Sequence, residues 1–330
     1  MSKLTTDIFI PTSNRLDALK MCLESISKQT NKDFKILLVG LKKDQAIDDL
    51  LKSFNKLKIE YFIQKRPGLI VAANEALNKS TADIFIRIDD DVIVDDKWLE
   101  NIIETFESDN EIGGITGPTI MSKEGLKSRD LTEILEKMRN SKNILLKLFY
   151  NLYCNYLYEG KLFEVSQFLK SGLFTLGSNH ELSLKIKSQI EVSNLEACNL
   201  ACRKKLLEKI DGFDEIFLEG LGDYHEADVA MKIKRLGFKL IFNPKAKLVH
   251  NVEVGAVAKS RPATYYRIQN FIIFYFRYFK IDSLDTLIKF SLNLIMQNCY
   301  YMFKFVSTGD FQQLKSIPGT FAGLYKVINS

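Results

Sequence analysis

Short apolar runs alternate with helical stripes along the first third of the chain. Asp7–Pro11 (DIFIP) is an apolar run that stops at a proline. Phe34–Val39 (FKILLV), Ile59–Ile63 and Asp83–Ile88 (DIFIRI) are three more. Short apolar runs bounded by turn residues predict buried strands. Between them, Arg15–Lys28 places Leu16, Leu19, Leu23 and Ile26 at helical spacing, and Ala46–Phe54, Leu69–Asn78 and Trp98–Phe106 predict further helices. Strand and helix in alternation imply an α/β fold, a mostly parallel sheet covered on both faces. Ligands of such sheets bind beyond the carboxyl ends of the strands. Pro11-Thr12, Gly40 and Asp89-Asp90-Asp91 all fall at ends of that kind.

From about 121 to 195 the alternation is lost. Leu131–Leu169 reads as helical, with Leu131, Ile134, Leu135 and Met138 on one stripe, and Asn143–Tyr158 is dense in Leu, Phe and Tyr. This stretch is expected as a helical insertion over the sheet. Alternation returns near Glu191. Asn199–Ile210 leads into the turn Asp211-Gly212-Phe213-Asp214-Glu215. Val229–Leu236 predicts a helix ended by Gly237, and Lys239–Phe242 a strand with Pro244 beyond.

The 330 residues are 46 % hydrophobic and 26 % charged, an ordinary globular balance that excludes disordered and collagenous classes. The net charge of +5 is too mild to imply nucleic-acid binding. It is unevenly spread: residues 259–330 hold nine Lys/Arg against three Asp, with 16 aromatic residues. The division expected is a near-neutral α/β domain over 1–258, with the helical insertion at about 121–195, and a basic, aromatic helical region over 259–330. A spanning helix needs about 20 mostly apolar residues. The longest uncharged stretch of the tail, Phe290–Phe303, has 14. That argues for helices lying at a membrane surface, or packed as core, rather than crossing. Five scattered cysteines describe no disulfide framework, so reduced thiols and a cytosolic setting are expected. Cys198 and Cys202 lack a second ligand pair for zinc and read as buried apolar residues. The opening MSKLTTDIFIPT is too short an apolar run for a signal peptide.

Three places carry candidate chemistry. Asp89, Asp90 and Asp91 follow an apolar strand, where mutual repulsion raises carboxyl pKa values unless a cation is present. Mn²⁺ or Mg²⁺ would relieve it, and the alternative is a solvated acidic turn. Gly222–Asp228 (GDYHEAD) precedes a helix; its acids either cap that helix or supply a general base. His250 ends an apolar strand, as a metal ligand or a structural histidine.

Taken in order, these pieces resemble glycosyltransferase family 2, which has the A-type glycosyltransferase (GT-A) fold. IFIPTSNR is similar to its first strand and nucleotide-binding turn, and CLESISKQT to the helix that follows. IDDDV resembles its Asp-x-Asp motif. ACNLACRKKLLEKIDGFDE resembles its Asn-x-x-x-Arg helix and Gly-Phe-Asp-Glu turn. YHEADVAMKIKRLGFKLIFNPKAKLVH resembles the acidic motif, Gly turn, Pro and final His.

The resemblance implies inverting transfer from a nucleotide-diphosphate sugar to a glycan or lipid-linked acceptor. It implies Asp91 and His250 as metal ligands, with Asp89 or Asp90 at the ribose or the metal's water. Pro11, Thr12 and Arg15 fall at the nucleoside, and Asn199 at the substrate. Glu226 takes the place of the catalytic base, with Asp228 two residues on. Three departures stand out. Gly40-Leu41-Lys42 replaces the nucleobase-reading Asp, leaving Asp44 as the nearest acid. Ala72-Ala73-Asn74 lacks the usual arginine, for which Lys65 or Arg66 could substitute. His225-Glu226 replaces Glu-Asp. RIQNFIIFYFRYFK and GTFAGLYKVI resemble the membrane-associated members, which places the chain peripherally on the cytosolic face of a membrane. Two competing readings remain at this level. A nucleotidyltransferase is opposed by the absence of glycine from PTSNRLDALK. A non-catalytic binding module is opposed by the joint presence of the three aspartates, Glu226 and His250.

Overall fold

The structure is a computed structural model that describes residues 4–13, 15–121, 128–175, 177–178, 180–251 and 263–329. Contacts divide the chain into two compact units: Met1–Gly125 with Gly177–Leu218 and His225–Glu253, and Leu126–Leu176 with Glu219–Tyr224 and Val254–Ser330.

The first unit is an α/β sandwich. Its strands in chain order are β1 (Thr6–Thr12), β2 (Phe34–Gly40), β3 (Ile59–Ile63), β4 (Ile84–Arg87), β5 (Val92–Val94), β6 (Ile112–Thr116), β7 (Thr119–Met121), β8 (Ile190–Glu191), β9 (Leu200–Arg203), β10 (Lys239–Phe242) and β11 (Leu248–His250). Eight form one sheet in the order β3-β2-β1-β4-β9-β6-β10-β8; β5, β11 and β7 form a small second sheet. Helices α1 (Leu16–Ser27), α2 (Gln45–Lys52), α3 (Leu69–Lys79) and α4 (Trp98–Ser108) follow the strands as their apolar spacing predicts. Strands buried on both faces need apolar residues at every position. Ile8, Phe9 and Ile10 of β1 and Ile84, Phe85 and Ile86 of β4 are accordingly all fully buried.

The Asn-x-x-x-Arg segment is not a helix: Leu200–Arg203 is strand β9, antiparallel to both neighbours, with Ala201 opposite Ile86 of β4 and Ile115 of β6. Leu200, Ala201 and Cys202 are at most 1 % exposed, so no amphipathic stripe exists for a helix to use. The helix here, α7, is only Lys204–Lys209. Arg203 closes the strand by donating to the carbonyls of Ile112 and Phe106, each at 2.8 Å. Asn74 of α3 staples the turn that follows: it donates to the Phe213 carbonyl and accepts from the Phe213 amide, both at 2.8 Å. Helix α8 (His225–Arg235) then leads back to the sheet.

The second unit contains α5 (Ser128–Asn140), α6 (Ile144–Tyr150), α9 (Ala263–Tyr278), α10 (Leu284–Thr308) and α11 (Ser316–Ile328). The expected helix over 131–169 is broken. Asn143 is extended and accepts from the Leu145 amide at 2.8 Å, the N-cap that starts α6. A π-helical turn, Asn151–Leu157, prolongs it, and Glu159 and Gly160 end it with φ of 55° and 73°. The most aromatic segment, α9, is interior: Ile268, Phe271, Ile272, Phe274 and Tyr275 are fully buried. Tyr275 stacks on Phe290 at 4.2 Å. Gly319 and Gly323 let α11 approach α9, since a Cβ on Gly319 would stand 2.4 Å from the Tyr265 carbonyl oxygen. The boundary expected between 258 and 259 lies outside the described residues. Among the described residues no helix is long and apolar enough to cross a membrane.

Gly117 joins β6 to β7 with no room for a side chain, because a Cβ would sit 2.0 Å from the Ala246 carbonyl oxygen. Backbone cannot yield as a side chain can. Gly117→Ala is expected to lower stability by about 3 kcal/mol, measured by urea denaturation.

Candidate active site

Strand β4 runs out of the sheet through Ile88 into Asp89, Asp90 and Asp91, and β5 begins at once with Val92. His250 pairs with Val92 across the small sheet. That register sets the imidazole beside Asp91, with Nε2 3.1 Å from Asp91 Oδ1. One ligand atom each of Asp89, Asp91 and His250 lies within 4.8 Å of the other two.

The end of β1 supplies the counter-charges. Thr12 Oγ1 donates to Asp90 Oδ2 at 2.7 Å. Arg15 donates to Asp91 Oδ2 at 2.5 Å and also pairs with Asp90. Burial pushes both carboxyls up, with opposite results. In Asp91 the His250 imidazole and Arg15 outweigh burial and hold the carboxyl below its ordinary range. In Asp90 burial wins over Arg15 and Thr12, and the carboxyl ends above it. Burial pulls the His250 imidazole down, but Asp91, Asp89 and Glu196 more than offset this and leave it raised.

A divalent cation fits this donor set. Asp91 Oδ1 is buried beside His250 Nε2 with no other donor, so both atoms are placed to turn to one cation. Two carboxylates and one imidazole suit Mn²⁺ or Mg²⁺ rather than a thiolate-seeking metal. Cys198 Sγ lies 3.8 Å from His250 Nδ1. Burial and then Glu196 push that thiol well up, so it stays protonated and does not compete.

A second chain of contacts leads from the cluster to helix α8. Arg87, 2 % exposed, reaches Asp89 Oδ1 at 3.4 Å and His225 Nε2 with its other amino group. An arginine only donates, so Nε2 accepts and the imidazole proton sits on Nδ1. Nδ1 in turn lies 3.0 Å from Glu226 Oε2. The contacts therefore run Asp89–Arg87–His225–Glu226, ending on a carboxylate at the helix N-terminus.

The remaining residues singled out in the sequence are placed elsewhere. Pro11 is half-buried backbone of β1 opposite Val39. Asn199 is 1 % exposed, and its amide is committed at both ends: it accepts from Trp98 Nε1 and donates to the Ala246 carbonyl, both at 2.9 Å. Asp228 is fully buried and pairs with Lys232 Nζ at 2.8 Å, one turn along. Asp44 is the N-cap of α2, accepting from the Ala46 amide. Arg66 pairs with Glu215. Gly40 lies against the Tyr61 side chain, whose Oη would be 2.7 Å from a Cβ there, so even alanine at this position would require Tyr61 to move.

Sequence reasoning missed Arg87 and Glu196. A lone charge inside the apolar run DIFIRI was the signal for Arg87. Glu196 accepts from Ser178 Oγ at 3.0 Å; burial pushes its carboxyl up, with His250 opposing and Asp89 adding. Nothing in NLEACN marked it.

Residues 7–165 match the sequence model of glycosyl transferase family 2. A stretch of 111 residues is 27 % identical to "Glycosyltransferase GlyA" of Streptococcus pneumoniae serotype 4 (strain ATCC BAA-334 / TIGR4), covering 32 % of this chain and 16 % of that protein. The chain thus spans about a sixth of the length of that curated relative. Among solved structures, residues 1–349 of S. aureus TarS in complex with UDP-GlcNAc align over 99 % of this chain and 81 % of that one, with a TM-score of 0.59 and 14 % identity. The mannosyltransferase PcManGT of Pyrobaculum calidifontis, in complex with GDP-Man and Mn²⁺, aligns over 99 % and 88 %, with a TM-score of 0.55 and 14 % identity. These neighbours are GT-A glycosyltransferases, and the likeness establishes that fold here.

Asp91→Asn removes the carboxylate charge beside His250 and replaces one of its two ligand oxygens by an amide nitrogen. It is expected to weaken Mn²⁺ binding to the protein alone by about a hundredfold, measured by calorimetry. Asp95→Asn, at a half-exposed turn paired with Lys247, leaves it unchanged.

Proposed function

We propose that this chain, which carries a glycosyl transferase family 2 domain over residues 7–165, is an inverting, metal-dependent glycosyltransferase. It moves a sugar from a nucleotide-diphosphate sugar to a hydroxyl of a lipid-linked glycan or polysaccharide. It works peripherally, on the cytosolic face of a membrane. The observation that carries this reading is the chain of contacts from Asp89 through Arg87 and His225 to Glu226. It ties a metal-competent cluster to a carboxylate fit to serve as base.

Each residue then has a role. Asp89, Asp91 and His250 hold the cation, and Thr12 and Arg15 meet the nucleotide side. When bound, the cation neutralises charge on the diphosphate leaving group. Glu226 accepts the proton of the acceptor hydroxyl as general base. The hydroxyl oxygen attacks the anomeric carbon on the face opposite the nucleotide. One displacement with one base inverts that carbon, and no covalent sugar–enzyme intermediate is formed. His225 keeps Glu226 oriented by donating from Nδ1, and Arg87 fixes that tautomer by donating to Nε2. Asp228, locked to Lys232, anchors the first turns of α8 and so steadies Glu226.

A melting-temperature screen of nucleotide diphosphates and nucleotide sugars, each with Mn²⁺, Mg²⁺ or chelator, tests the donor half. A shift that needs one nucleotide together with a metal is expected, because a ligand bound only to the native state raises the melting temperature. No shift from folded protein rejects the reading in favour of a non-catalytic module. Glu226→Gln tests the chemistry. Donor binding is expected to persist while turnover falls by about a thousandfold, because an amide cannot take the proton. Near-normal turnover would move the base elsewhere.

A further inference from the structure

We propose that α6 and the turns after it form a wedge that enters the surface of an anionic lipid bilayer. The inference deepens the membrane part of the proposed function and does not depend on the transfer chemistry.

The sequence of α6 is ILLKLFY, and none of its residues is buried. Ile144 and Leu145 are 71 % and 70 % exposed, and Leu148 is 58 % exposed. Large apolar side chains grouped in this way mark an interaction surface. Leu145, Leu148, Phe149 and Leu152 follow helical spacing and form one stripe. Phe149 stacks on Tyr153 at 6.0 Å, which stiffens the stripe.

The stripe continues onto a second helix. Tyr156 Oη donates to Asp285 Oδ1 at 2.8 Å, and Lys289 Nζ lies 5.2 Å from the centre of the Tyr156 ring. These contacts bring the first turns of α10 alongside. There Leu284 is 72 % exposed, and Leu287 and Ile288 are also open to solvent.

Charge identifies the occupant. Between Lys137 and Tyr158 there are four basic residues, Lys137, Arg139, Lys142 and Lys147, and no acidic one. Lys142 and Lys147 are exposed beside the apolar stripe. An apolar helix face rimmed by cations is the composition that settles at the headgroup level of an anionic leaflet. A second copy of this chain fits poorly. A twofold contact would set the same basic rim against itself, and an isologous interface must be self-complementary.

The test is cosedimentation of the full chain with vesicles of phosphatidylcholine alone, or of phosphatidylcholine with phosphatidylglycerol. The unaltered protein is expected to bind the anionic vesicles, and to release them as salt rises. Leu145→Glu with Leu148→Glu should weaken that binding by about tenfold or more, as should Lys142→Gln with Lys147→Gln. All four positions are exposed, so the melting temperature should hold. The donor-induced shift of the same variants should hold too, which separates failure here from failure of the transferase reading. Unchanged vesicle binding by the Leu145/Leu148 variant overturns the proposal. So does loss confined to a Phe303→Glu, Val306→Glu variant of α10. A change of oligomeric state without a change in vesicle binding also overturns it, and makes the face a subunit contact.

Discussion

Three carboxylates in succession at the end of a buried strand set the terms for everything around them. Asp90 and Asp91 are almost wholly out of solvent. Charge placed there must be paired or neutralised. The chain meets that constraint from three directions. Arg15 comes from the N-cap of α1, Arg87 from β4 itself, and His250 from β11, held in register by the small sheet. Each compensating group arrives on a different element. The local charge balance therefore fixes where the first helix starts, where β5 must pair, and which way the imidazole faces. The buried thiol of Cys22 lies beneath, pushed well up by burial and by the three aspartates.

Much of this was legible in the sequence. Periodicity located the parallel strands and their helices, because a strand buried on both faces shows itself as an unbroken apolar run. IDDDV and the final His offered candidate ligands by residue type, and the family resemblance is what set Asp91 and His250 together. What periodicity could not convey was partnership. LACR reads as the start of a helix in isolation and becomes a strand only because β4 and β6 leave a slot between them. Arg87 was hidden for a related reason: its value comes from two partners, one of them 138 positions away. Asn199 shows the converse. The family resemblance set it at the substrate, and in the fold its amide hydrogen-bonds Trp98 and the Ala246 carbonyl.

The tail teaches the same lesson about composition. Aromatic and basic excess over 259–330 suggested a surface-bound helix, yet the densest part, α9, is core. Its rings pack on one another and on α10, and glycines of α11 let that helix close over them. The most exposed apolar residues include Ile144 of α6, Leu284 and Val306 of α10, and Ile328 of α11. Composition measures how much apolar surface a segment has; only packing decides which part is spent inside.

Strand β9 separates the order of synthesis from the order in space. β3, β2, β1 and β4 are consecutive neighbours made from the first 87 residues, and can pair as they emerge. β6 is the next strand of this sheet in sequence but belongs one place further across. The position between β4 and β6 stays empty until residues 200–203 are made. A nascent chain therefore carries an open, mostly apolar strand edge through the synthesis of more than a hundred further residues. Such an edge is a template for mispairing. Late insertion of a four-residue strand also makes closure of the sheet a non-local, slow event. Since Asp89–Asp91 hang from that same β4, the aspartate cluster waits for β9, and then for β11 to bring His250.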